Sequence, residues 1–160
     1  MTQLTPQPDL DVNDGGSVPI ANTLLYQSTT IRCRDAGNWG WWPTSWATTG
    51  TRTLLTISGA SEFGSLQAFD NCILTYDGGI IHGRVELYMT ATFVITTSGG
   101  SDWTIDGEDI SGYFPTNLAP AMVPGHEYVL EGTMETPGVV RTIRIQNYGG
   151  SSTALAVWVI

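Results

Sequence analysis

At 160 residues the chain has the length of one ordinary domain, long enough to bury a core without disulfide or metal staples. Fifteen carboxylates against six Arg and no Lys leave a net charge of −9, so phosphate backbones and anionic membrane surfaces are poor partners. Charged residues are only 13% of the chain while Gly numbers 19 and Pro 8, which starves solvent-facing helices of material and predicts strands and turns.

Residues 1–22 contain three Pro, two adjacent Gly and no sustained apolar period, and read as an extended or flexible N-terminal arm preceding a domain at 23–160. This opening holds no charged region followed by an apolar run, and no apolar stretch of about 18 residues occurs later, so neither a signal peptide nor a membrane span is predicted. Within it, Asp9-Leu10-Asp11-Val12-Asn13-Asp14-Gly15 resembles the start of a calcium loop. The turn Gly comes one residue late and Ile20 stands where a bidentate Glu belongs, so an acidic solvated arm is expected and no metal site.

The first strand candidate runs from Thr23 to Arg34 and carries Cys33, which could pair with Cys72 in an oxidised setting, although free buried thiols are the expectation for a chain made in cytoplasm. Next comes Asn38-Trp39-Gly40-Trp41-Trp42-Pro43-Thr44-Ser45-Trp46, whose Gly and Pro forbid a regular central strand. Its indoles have three possible fates: core capping the end of the fold, a buried subunit contact, or a platform for sugar rings. Strands follow at 51–58 and 66–76, and Asp77-Gly78 is a tight-hairpin signal. Val85, Leu87, Met89, Ala91, Phe93 and Ile95 alternate with more polar residues as one long half-buried strand. Candidates at 103–110, 126–134, 139–147 and 153–160 complete the set, the last three expected to form a meander. The terminal Ala154-Leu155-Ala156-Val157-Trp158-Val159-Ile160 is apolar on both faces, as suits a central strand or one covered by another subunit.

Unequal connections and the near absence of helix predict an all-β, two-sheet antiparallel sandwich of jelly-roll type. Catalytic chemistry is not specified: Gly59-Ala60-Ser61-Glu62-Phe63-Gly64 has the wrong spacing for a hydrolase elbow, and His82 and His126 lie far apart. Glu86, Glu108, Glu127 and Glu131 could supply a glycosidase pair, but nothing selects two of them, and solvated carboxylates explain them more simply. No catalytic, cofactor or metal residue is therefore assigned.

The stretch Val123-Pro124-Gly125-His126-Glu127-Tyr128-Val129-Leu130-Glu131-Gly132, then Thr142 to Asn147, then Ala154 to Ile160, resembles the closing strands of jelly-roll modules in bacteriophage capsid decoration and fibre proteins and in carbohydrate-binding modules. The whole-chain layout favours the viral group. That resemblance implies a non-enzymatic structural protein of the virion surface, made in host cytoplasm, whose partners are the major capsid protein or other virion proteins. A doubly apolar last strand and a Trp-rich corner exceed what a small sandwich buries, so a homotrimer is expected, with Trp39, Trp41, Trp42, Trp46 and Trp158 at the interface. The alternative is a carbohydrate- or receptor-binding module in which the Trp39 to Trp46 cluster stacks on a glycan.

Overall fold

A computed structural model describes residues 9–36, 51–88, 91–96, 101–109, 125–134, 139–148 and 157–159, and all regular structure among them is strand. The apolar residues fall into rows rather than onto two facing antiparallel sheets. In one sheet, β1 (Leu10–Val12), β3 (Thr30–Cys33), β6 (Ser65–Ala68), β9 (Arg84–Leu87) and β14 (Val139–Asn147) lie side by side, all parallel. In a second, β2 (Gly16–Ala21), β4 (Thr53–Ser58), β7 (Ile73–Asp77), β10 (Thr92–Ile95) and β15 (Val157–Val159) do the same. A short third face pairs β5 (Glu62–Phe63) with β8 (Ile80–Ile81), and Leu24 bridges to Glu62 alongside them.

The chain thus visits the faces in turn and stacks each visit in register on the one before, which is the geometry of a parallel β-solenoid. Inside, Ile31, Leu66, Val85 and Ile145 form one row of the first sheet; Leu55, Leu74 and Phe93 form a row of the second, with Ile57, Tyr76 and Ile95 beside it. All are buried in one core cluster. Period-2 alternation puts every second side chain inward, and neighbouring strands about 4.8 Å apart bring equivalent residues into contact.

One addition departs from this stack. After β10 the chain forms β11 (Ser101–Ile105), β12 (Glu108–Asp109) and β13 (Glu127–Met134), which pair antiparallel and extend the first sheet beyond β14. The fully buried Trp103 sits in β11 and meets Tyr76 edge to face, with ring centroids 6.3 Å apart.

The chain is all-β as expected, but the antiparallel jelly-roll sandwich is not the arrangement of the described strands, where all but the β11–β12, β11–β13 and β13–β14 ladders are parallel. The physical reason is that alternation reports which side of a strand is buried and nothing about its partner. The single long strand expected at 85–95 is two strands on different faces, β9 and β10, with inward parity kept across the corner. Asp77-Gly78 makes a corner between faces instead of a hairpin: Gly78 and Gly79 both have positive φ, but β7 and β8 pair with different neighbours. Within the expected arm, residues 10–12 and 16–21 are the strands β1 and β2, each paired to the next coil, while residues 1–8 lie outside the described residues. Pro19 is tolerated in β2 because that strand is the edge of its sheet among the described residues. The terminal meander is half present: β13 and β14 form an antiparallel pair, but β15 crosses to the second sheet and pairs parallel with β10.

Candidate functional site

Of the residues singled out in the sequence, Trp39, Trp41, Trp42 and Trp46 lie outside the described residues, and Trp158 stands opposite Val94 in the β10–β15 ladder. Cys33 and Cys72 are free thiols with no exposed surface, as expected. Contact with Cys33, burial and the nearby Asp35 all push the Cys72 thiol far up from its ordinary value. The acids of the calcium-like segment are engaged elsewhere: Asp9 accepts the Thr30 amide at 3.0 Å and pairs with Arg32 at 2.7 Å, and Asp11 lies 3.5 Å from the same guanidinium. Among the described residues no three metal-ligating side chains gather.

What the sequence does not reveal is the outer face of the first sheet. Because its strands stack in register, outward side chains align into rows that cross the molecule. The central row runs Asp11, Arg32, Gln67, Glu86, Gln146, Glu127, each opposite the next. Gln67 donates through Nε2 to Glu86 Oε1 at 2.7 Å, and Gln146 Nε2 donates to the Gly125 carbonyl at 3.0 Å. The Oε1 atoms of Gln67 and Gln146 are shielded from solvent without a hydrogen-bond partner among the described residues.

On one side of this row, Thr30 is opposite Ser65 and Arg84 is opposite Arg144. Glu127 sits between the two guanidinium groups, Oε2 3.6 Å from Arg84 Nη1 and Oε1 3.6 Å from Arg144 Nη1, while Arg84 Nη2 lies 3.4 Å from Glu86 Oε2. These spacings give Coulombic attraction but exceed the 2.7–2.9 Å or so of a charge-assisted hydrogen bond. The residues enclose an open groove of about 410 Å³ with His82 and Gly83 on its wall. His82 Nε2 is 2.6 Å from Glu62 Oε1, and that bond holds the Glu62 carboxyl below its usual range.

On the other side of the row is a column formed by the residue just past each strand of the sheet: Arg34, Phe69, Tyr88 and Tyr148. Their amides continue the ladder, donating to Val12, Cys33, Ala68 and Leu87 carbonyls at 2.7 to 3.0 Å. The Arg34 guanidinium lies 5.4 Å from the Phe69 centroid, Phe69 stacks on Tyr88 at 4.7 Å, and Tyr88 stacks on Tyr148 at 5.1 Å. Burial, with help from Glu86, pushes the Tyr88 phenol up to about 12. Tyr148 is the last ring of the stack among the described residues, with 40% of its surface exposed.

Beneath this corner lies a buried polar knot. Asp70 Oδ2 receives the Asp35 amide at 3.2 Å and lies 3.4 Å from Arg34 Nε; Asp35 in turn accepts the Thr53 amide at 3.3 Å and the Asn71 amide at 3.4 Å. It ties the turn after β3 to the turn after β6 and holds the corner from which the aromatic column rises. No sequence signal short of the correct coil register would have assembled these rows, because their members come from strands separated by very unequal lengths of chain. Comparison with protein families, with characterised proteins and with solved structures gave no match.

Proposed function

We propose that the chain is a structural subunit of a virion, of the fibre type rather than the capsid-clamping type, displayed at the virion surface and assembled as a homotrimer with other virion proteins as partners. The observation that carries the preference for a fibre is the stack itself. Parallel ladders in register grow along one axis, and such a body lengthens by adding coils, as a projecting fibre requires. Stability then comes from interfaces between neighbouring coils, and a subunit that binds only the assembled particle adds its association free energy to that particle.

A binding role is also a better account of the groove than catalysis. Arg84 pairs with both Glu86 and Glu127, at 3.4 and 3.6 Å, so the two carboxylates share one cation and are not the facing acid and base of a glycosidase. His82 commits Nε2 to Glu62 and makes no hydrogen bond to Ser65 among the described residues, so no serine nucleophile is activated there.

The test is electron microscopy of native particles labelled with gold-tagged antibody against the chain, together with sedimentation of the purified protein. Label on projecting fibres and a trimer in solution are expected. Label confined to the capsid faces would favour the decoration role, and unlabelled particles would overturn the virion reading.

A further inference from the structure

Arg84 and Arg144 face one another on adjacent strands, in a chain that has six arginines, no lysine and a net charge of −9. Like charges directly opposite in a sheet destabilise it. Glu127 offsets this pair at 3.6 Å from each guanidinium, beyond hydrogen-bonding distance, and both arginines line the groove. A guanidinium fork matches the planar oxygens of a carboxylate.

We propose that the groove is a saccharide-binding subsite for a sugar bearing a single carboxylate, whose charge is met by the guanidinium groups of Arg84 and Arg144. The rest of the groove supplies what the ring hydroxyls need. Gln67 and the Glu86 carboxylate line its floor. Ser65 and Thr30 add hydroxyls at the wall. Gly83 keeps that wall open, because a Cβ there would collide with Ser65 Oγ.

Aromatic surface completes the fit. Arg144 and Gln146 share one outward parity along β14 and Tyr148 follows just past its end, so a ligand held at Arg144 and extended along this strand reaches the exposed Tyr148. The net charge of −9 argues against polyanions, whose repulsion grows with each added charge, and for a ligand with one acidic group. None of the groove's described residues belongs to the Trp39 to Trp46 segment, and the assignment does not depend on the chain belonging to a virion.

Calorimetric titration of the full chain with a glucuronate-containing tetrasaccharide tests the assignment, beside its carboxyl-reduced neutral counterpart and inorganic sulfate. The acidic sugar should bind and the neutral one should bind more weakly. Arg144→Gln, at an exposed position whose ion pair is with Glu127, should weaken the acidic sugar about tenfold or more, the value of one charged hydrogen bond, with an unchanged melting curve. Tyr148→Ala should weaken both sugars alike. Absence of heat with the acidic sugar, equal binding of its neutral counterpart, or unchanged affinity in Arg144→Gln would overturn the proposal. Sulfate competing as well as the sugar would reduce the site to a simple anion hole and overturn the saccharide assignment.

Discussion

Gly132 lies in β13 against the face of the fully buried Trp103, and the contact sets a limit that a single methyl group can test. A Cβ built on Gly132 would come closer than 3.0 Å to three atoms of the indole, Cδ2, Cε2 and Cε3, which belong to the rigid ring and not to a flexible tip. The ring cannot simply turn aside. It packs edge to face on Tyr76, whose hydroxyl donates to the Gly79 carbonyl at 2.5 Å, so displacing it disturbs the core around β7. Overpacking of this kind costs about 1–3 kcal/mol, and the lower unfolded-state entropy of Ala returns about 0.5–1 kcal/mol. Gly132→Ala should therefore destabilise the domain by roughly 1–2 kcal/mol, a fall in Tm of about 2–8 °C for this chain length. Urea and thermal unfolding followed by circular dichroism measure it. Trp103→Phe replaces the indole that the methyl strikes with a smaller ring, so the cost of Gly132→Ala should shrink in that background, a coupling that a double-mutant cycle isolates. A Gly132→Ala protein as stable as the parent, or a cost that is unchanged in the Trp103→Phe background, would refute the packing argument.

Asp35→Ala should cost about 1–3 kcal/mol in urea unfolding, because it removes the acceptor of the buried Thr53 amide; Asp35→Asn, which keeps one acceptor oxygen, should cost less. Cys33 and Cys72 should not react with a thiol-specific chromogenic disulfide in the native state and should both react in urea, since burial and mutual contact keep the Cys72 proton in place; rapid native reaction would contradict the packing. The Glu62 carboxyl is held low by His82, so its contribution to stability is present above the unfolded value near 4.5 and is lost as the pH falls through the lower folded value. His82→Gln should flatten that part of the stability–pH curve, and an identical curve would show that the pair does not hold the Glu62 proton off. The Tyr88 phenol should ionise near pH 12, after ordinary tyrosines, in absorbance titration over the range in which the fold survives.

Inwardness was legible in the sequence and partnership was not. The alternation of Val85, Leu87, Ala91, Phe93 and Ile95 places all five inside, where they are found, but the same pattern fits a straight strand and a strand bent around a corner. The hairpin of β13 and β14 was readable because its partners are neighbours in the chain. The parallel ladders were hidden by spacing: the step from Arg32 to Gln67 is nearly twice that from Gln67 to Glu86, and the step from Glu86 to Gln146 about three times as long. With no constant period, the repeat test that finds regular solenoids has nothing to detect. The N-terminal segment misled for a related reason. Leu10 and Val12, then Val18 and Ile20, are too few apolar residues to announce strands, and they become strands because β3 and β4 offer them an edge to complete.

The candidate site was illegible for the deeper reason that none of its residues is unusual where it stands. Gln67 reads as a polar position of a half-buried strand and Arg144 as a surface charge; only register makes them neighbours. Register itself rests on the corner. If Arg34, Phe69, Tyr88 and Tyr148 did not turn the chain at the same height in successive coils, the rows on the sheet beside them would slip. A slip of one residue would send Gln67 and Glu86 inward and Leu66 and Val85 outward. The stacked column and the Asp35–Asp70 knot beneath it therefore stabilise the fold and fix the groove by the same contacts.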